Sequence, residues 1–283
     1  MLSAYSFSIL VLALSLLTSY AFSLKLLSLQ GRKEQHLSDL SSLLVTPKSS
    51  STALNNHVIA LTDISPLANN IACTSLAAAA ALLWLQVWIS FAKRGKIEPK
   101  LSRKIIHTGS APLYLALFPL FSDDSYANIF AASVPLSQLL RLVSSYYSSN
   151  NSENAGLVNA ISRTGNKREA LEGPFYYNVI LFLVSLFAFR TIPGVFVIGQ
   201  MAAGDGMADI VGRRFGSVKW PFSKSKSIAG SLGFVAGAFV VTCGLLVLYT
   251  ATGCLSIDIG EVFPQVLLVS VICALVELLP IGE

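Results

Sequence analysis

Residues 228–250 read IAGSLGFVAGAFVVTCGLLVLYT, a run of twenty-three without Asp, Glu, Lys, Arg or His. At about 1.5 Å of rise per residue, such a run crosses the roughly 30 Å hydrocarbon layer of a bilayer as one helix. Polar residues mark both flanks, with Lys226-Ser227 before it and Asp258 and Glu261 beyond it. Working outward, similar apolar runs predict helices over 67–91, 105–121, 126–146, 173–190, 192–211, 228–250 and 261–281. Pro66 opens the first and Pro193 the fifth, and Pro174 is expected in the first turn of the fourth. Proline's missing N–H costs nothing there. Composition agrees: 53% of residues are hydrophobic, 12% are charged and mean hydropathy is +0.64. A soluble domain carries about 25% charge. The expected fold class is all-α, a polytopic transmembrane helical bundle of about seven spans.

Charge orders the loops. Fourteen of the twenty Lys and Arg residues fall in alternate loops: Lys93 to Lys104, Arg163 to Arg168, and Arg213 to Lys226. The intervening loops carry Asp123 with Asp124, and Asp258 with Glu261. Cationic loops gathered on one membrane face explain the net charge of +5 without a nucleic-acid partner. Cys73, Cys243, Cys254 and Cys273 lie far apart, with neither redox nor metal-ligand spacing.

The chain divides into three parts. Residues 1–22 resemble a secretory signal peptide, and residues 23–65 have the Ser-rich, basic composition of a transit peptide. Together they look like the two-part presequence of algae with secondary plastids; a signal anchor followed by a linker is the alternative. Residues 66–283 form the transmembrane domain.

Within it, chemistry concentrates in GQMAAGDGMADIVGRRFGSVKWPFSKSKSIAGSLGFVAG, residues 199–237. Asp205 and Asp209 are four residues apart, so a helix points both carboxylates the same way. An unpaired carboxylate in an apolar span costs on the order of 2.5–3.5 kcal/mol on insertion scales. A divalent cation relieves both the burial and the repulsion, and all-oxygen ligands favour magnesium. Pairing with a nearby base such as Arg213 is the other solution. Gly204 and Gly206 flank Asp205, as close approach of a ligand or of a second helix requires. Gly212, Gly216, Gly233 and Gly237 read as helix packing.

Arg213, Arg214, Lys219, Lys224 and Lys226 follow, with Lys226-Ser227 set against the next helix start. A helix N-terminus with free N–H groups, a lysine and a hydroxyl makes a phosphate cradle; a solvated basic loop is the plainer account. Acids for metal followed by cations for phosphate is what phosphoryl or nucleotidyl transfer needs. His107, on the basic face, is a further candidate, set against an ordinary helix-end role. Arg190 and Glu277 are expected to snorkel at helix ends.

At these residues the chain resembles the phytol kinase and farnesol kinase branch of the polyprenol kinase family. The matching pieces are SRKIIH (102–107), EGPFYY (172–177), AGDGMADIVGRRFG (203–216), KSIAGS (226–231) and VELLP (276–280). More distantly, the Asp209…Gly216…Lys226-Ser227…Gly230 pattern is similar to the signature of phosphatidate cytidylyltransferases. The resemblance implies a plastid-membrane enzyme that phosphorylates a free isoprenoid alcohol (phytol, geranylgeraniol or farnesol). The implied donor is CTP or another nucleoside triphosphate with Mg2+, and the product feeds tocopherol synthesis and phytol salvage. Asp205 and Asp209 are then the metal ligands. Arg213, Arg214, Lys226, Ser227, Gly204 and Gly206 face the nucleotide phosphates, and His107 is the candidate base. Two departures stand out. Glu172 replaces a basic residue of the relatives, and relatives continue past Leu279-Pro280-Ile281 into an Asp-Asp-Asn motif and at least one more span, so the chain is expected either to be incomplete or to lack part of the family's site. Cytidylyl transfer to a lipid phosphate, and a non-catalytic cation transporter, are the rival readings.

Overall fold

The computed structural model of the chain describes residues 65–147, 167–223 and 225–279. The segments 1–22 and 23–65, Ser65 apart, lie outside the described residues, as do residues 280–283. Regular structure among the described residues is helical: α1 (Pro66–Lys93), α2 (Pro99–Ala116), α3 (Ala127–Tyr147), α4 (Lys167–Phe187), α5 (Ile192–Ile198), α6 (Asp205–Phe215), α7 (Ile228–Ala251) and α8 (Ile259–Glu277). A short 3-10 turn, Phe118–Leu120, follows α2, and a π-turn, Gly199–Gly204, joins α5 to α6. Strand-like pairing among the described residues is one isolated bridge between Lys219 and Ser227.

Among the described residues seven helical stretches thus follow the expected order, with α5, the π-turn and α6 forming the fifth. By length and composition, α1, α7 and α8 are long and apolar enough to cross a membrane, and Gly173–Phe187 is a shorter apolar helix. The other expected spans are less regular. The α2 helix begins at Pro99, six residues before the predicted start, which places Lys100, Arg103 and Lys104 on the helix rather than in a loop. Pro99 fits the first turn, and lysine and arginine stems extend along a helix toward the interface. The α4 helix likewise starts at Lys167, so Pro174 lies inside it rather than in its first turn.

The interior mixes small residues, among them Ala111, Ala131, Ala202 and Ala238, with large ones such as Phe118, Phe196 and Tyr249, while Leu83, Leu140, Phe187, Leu232, Val240 and Leu275 face outward. Large apolar side chains on the outer surface suit a bundle in lipid, where no hydrophobic force drives them inward.

The acidic end of the bundle is tied by polar bonds. Asn69 Nδ2 donates to the Leu120 carbonyl at 3.0 Å, and Asn70 Nδ2 donates to Asp124 Oδ2 at 3.1 Å. Arg190, in the left-handed region at φ 52°, joins α4 to α5. Its guanidinium donates to the carbonyls of Phe118 and Phe121 and pairs with Asp123 Oδ1 at 2.6 Å. Arg190 is therefore a structural clamp instead of a snorkelling residue. Arg190→Met leaves these carbonyls without donors. It is expected to cost on the order of 3 kcal/mol, read as a lower midpoint of thermal unfolding in detergent.

Candidate functional site

The site begins with α2. On one face of this helix lie Lys104, His107, Thr108 and Ala111, at the i, i+3, i+4, i+7 spacing of a single stripe. Thr108 Oγ1 donates to the Lys104 carbonyl at 2.6 Å, and Ser102 Oγ ties the first turn to the Trp88 carbonyl of α1 at 2.8 Å. This stripe meets α6. Their closest approach is at Gly206, where an added Cβ would lie 1.8 Å from Thr108 Oγ1 and 2.7 Å from Thr108 Cβ. Only glycine fits at that crossing. Gly204 is similarly close to another side chain, since a Cβ there would lie 2.8 Å from the Phe234 ring. Helix packing, the second of the two explanations for these glycines, therefore accounts for both.

On its other side α6 packs against α7, small residue to small residue. The space beside Gly237 is filled by Met207, and Gly212 and Gly230 approach each other backbone to backbone. The sequence reading of these glycines as packing positions agrees with this arrangement.

The crossing sets the charges. Lys104 Nζ lies 3.3 Å from Asp205 Oδ2 and 3.8 Å from Asp209 Oδ2, so one ammonium sits between the two carboxylates. His107 Nε2 is 3.6 Å from the same Asp205 oxygen. Arg213 Nε, one turn along α6, holds the other oxygen of Asp209 at 2.9 Å. Asp209 Oδ2 is buried and accepts no hydrogen bond among the described residues. A separate pair closes the neighbouring edge: Lys226 Nζ meets Glu277 Oε1 at the end of α8 at 2.5 Å. Glu277 lies within electrostatic reach of Asp205 and Lys104, so the two sets form one cluster.

Of the residues singled out by sequence, Asp205, Asp209, His107 and Arg213 come together directly, and Lys226 joins through Glu277. Arg214 is exposed, its guanidinium over the Phe215 ring at 5.9 Å. The phosphate cradle at the start of α7 is revised. Ser227 Oγ is buried and accepts the Gly230 N–H at 3.1 Å as the helix cap, and the Ile228 N–H donates to the Val218 carbonyl at 3.1 Å. Those donors and that hydroxyl hold the loop to the helix, which leaves cationic side chains as the phosphate-seeking groups of this end.

Three residues have contacts in this cluster that sequence does not assign them. Lys104 belongs to the Arg103–His107 stretch that sequence marks as a candidate at the opening of this helix, but only the helix start at Pro99 places its ammonium one turn from His107. Glu277 reads in sequence as a snorkelling helix-end acid; no local signal marks its pairing with a lysine fifty-one residues away. Tyr177 carries no charge at all. Its hydroxyl donates to the His107 carbonyl at 2.8 Å and accepts the Ala111 N–H at 2.9 Å. Those two backbone groups are each other's partners in a regular helix. Its ring also lies 4.5 Å from the His107 imidazole, fixing the imidazole's place.

The residues fit a magnesium ion. Asp205 and Asp209 supply hard oxygen ligands, and one buried Asp209 oxygen lacks a donor. No cluster of three or more His, Cys, Asp or Glu suited to a metal occurs among the described residues. Two carboxylates are nevertheless the usual protein share of a magnesium site whose remaining ligands are water and phosphate.

Fold and site together define a membrane-embedded helical bundle with paired carboxylates set among cations at one end. No family model matches the chain, and no solved structure matches it. It is 41% identical over 192 residues to the probable phytol kinase 1, chloroplastic, of Glycine max, covering 68% of this chain and 63% of that one. It is 33% identical over 214 residues to the probable phytol kinase, chloroplastic, of Triticum aestivum, covering 74% and 70%. Farnesol kinase, chloroplastic, of Arabidopsis thaliana is 35% identical over 199 residues, covering 70% and 64%. The chain thus spans less than two thirds of the first of these relatives and 70% of the second. It belongs to the phytol kinase and farnesol kinase family.

The crossing at Gly206 yields a direct test. Gly206→Ala is expected to destabilise the fold by about 1–3 kcal/mol through overpacking against Thr108. Thr108→Ala in the same chain removes the clash with Oγ1 but leaves the 2.7 Å approach to Cβ, so it recovers part of that loss. Thermal unfolding of both single variants and the double variant in detergent measures this, and additivity of the two losses counts against the contact.

Proposed function

We propose that this cluster is the phosphoryl-transfer site of an isoprenoid-alcohol kinase of a plastid membrane, with phytol as the first-choice acceptor and CTP as donor. The observation that carries the reading is the acid pair itself. Asp205 and Asp209 stand at the end of an apolar bundle, ringed by Lys104, Arg213 and His107, in a chain of this family. The membrane setting suits an acceptor with a long apolar tail and one hydroxyl. The plastid location follows the chloroplastic relatives and agrees with a presequence of two parts. The product, a prenyl monophosphate, then serves tocopherol synthesis and phytol salvage.

In this mechanism the prenyl chain lies between helices with its hydroxyl at the basic end. The hydroxyl oxygen forms a bond to the γ-phosphorus, the bond to the β–γ bridging oxygen breaks, and the nucleoside diphosphate leaves. His107 takes the hydroxyl proton. Arg213 and Lys226 neutralise the triphosphate, and Asp205 and Asp209 hold Mg2+, which when bound offsets charge on the phosphates. Phosphoryl transfer passes through a loose transition state, so positioning and charge neutralisation provide most of the rate.

Membranes holding the chain, incubated with phytol and γ-labelled CTP, are expected to yield labelled lipid. Asp209→Asn is expected to lower that rate by about two orders of magnitude, the usual cost of removing one electrostatic element of a transition state. Label that reaches lipid only from α-labelled CTP, with release of pyrophosphate, points to cytidylyl transfer instead. A folded, membrane-inserted chain that labels lipid from neither donor sinks both enzyme readings.

A further inference from the structure

We infer that Lys104 is an exchangeable counter-ion: its ammonium neutralises the acid pair in the empty site and passes to the phosphates when a divalent cation arrives with its nucleotide. The inference rests on the reading of the site as one for a metal–triphosphate complex.

Three observations support it. First, Lys104 Nζ lies between the carboxylates, 3.3 Å from one and 3.8 Å from the other, the place a bridging cation takes. Second, the longer of these distances is beyond hydrogen-bond range, and Asp209 Oδ2 is buried without a donor among the described residues. The ammonium therefore balances the Asp209 charge while leaving that oxygen available as a ligand. Third, the stem is partly exposed and rises from α2, while the acids rise from α6, so the ammonium can swing without disturbing the turn that holds the pair. Lysine suits this role as a compact charge on a flexible stem; the planar arginine fork locks onto one geometry.

A consequence for binding order follows. With Lys104 and Arg213 beside Asp205 and Asp209, the four side chains sum to no net charge, and a free divalent cation meets little attraction. A metal–triphosphate complex is different. It brings its own anionic oxygens, which accept the displaced ammonium, so metal and nucleotide enter together. Lys104 thus guards the pair against free metal and becomes a phosphate-binding residue in the loaded site.

The test is Mn2+ binding by the full chain in detergent, followed by the magnetic resonance signal of free Mn2+, with no turnover required. Wild-type protein is expected to bind Mn2+ at least tenfold more tightly with a non-hydrolysable CTP analogue than without it. Lys104→Met is expected to bind free Mn2+ at least tenfold more tightly than wild type and to show a smaller gain from the analogue. Lys104→Arg keeps the charge and stays near the wild-type affinity for free Mn2+. Equal wild-type affinity with and without the analogue overturns the proposal, as does a folded Lys104→Met whose affinity for free Mn2+ is unchanged or weaker. Should Lys104→Met fail to fold, the wild-type comparison and a Lys104→Gln variant decide by the same criteria. Lipid labelling without any of these Mn2+ differences removes the counter-ion role and leaves the kinase reading intact. The Mn2+ differences without lipid labelling do the reverse.

Discussion

Two carboxylates one helical turn apart at the end of an apolar bundle are the constraint on which the surrounding structure depends. Asp205 and Asp209 repel each other and resist burial, and a short α6 of eleven residues cannot compensate for them alone. The chain answers by bringing two other helices close. Gly206 lets α2 approach until Lys104 reaches both acids, and the Gly212–Gly230 approach brings α7 against the opposite side. Without those glycines the helices would stand farther apart, and Lys104 would not span the pair. The glycines therefore act on the site through distance, although no glycine side chain exists to touch a ligand.

The two ends of the bundle divide the work. At the acidic end Arg190 and Asn70 use their polar groups on carbonyls and on Asp123 and Asp124, with defined partners for most of them. At the basic end the groups are paired less completely: Asp205 is about half exposed, and one Asp209 oxygen lacks a donor. The π-turn at Gly199–Gly204 lies just before the acid pair, and π-turns inside helices recur at functional sites. A satisfied end and an unsatisfied end in one small bundle are what a scaffold holding a charged site requires.

Much of this was legible in the sequence. The apolar runs, the alternating loop charges and the i, i+4 acids follow from one-dimensional periodicity, and they locate the bundle, its basic face and the aspartates. The α2 start was missed because a run of Lys and Arg reads as loop, while the stems of those residues in fact lie along a helix begun by Pro99. The π-turn has no local sequence signature; its first residue, Gly199, packs against Thr242, a residue far along the chain. The Lys226–Glu277 pair and the Tyr177 bond to α2 likewise join distant segments, and pattern within a window cannot find them.

The start of α7 shows most clearly how the structure changes the chemistry. Lysine and serine before a helix suggest an open cradle of N–H donors, yet here Ser227 caps Gly230 and the Ile228 N–H closes onto Val218. Ser227 Oγ is also hemmed in by Gly212 and Gly216, so its burial follows from the same small-residue contact that seats α6 on α7. Close packing and an open hydroxyl are incompatible at this point. Under the proposed function, phosphate recognition then falls to side-chain cations from two helices and a loop: Lys104 from α2, Arg213 from α6 and Lys226 just before α7. Each of these is held by an acid in the structure. On that reading, anion binding would be an exchange of partners, in which phosphate oxygens replace carboxylates around cations already in place. The saving in desolvation from such an exchange is greatest at Lys104, whose side chain is already largely covered, and smaller at the more exposed Arg213 and Lys226.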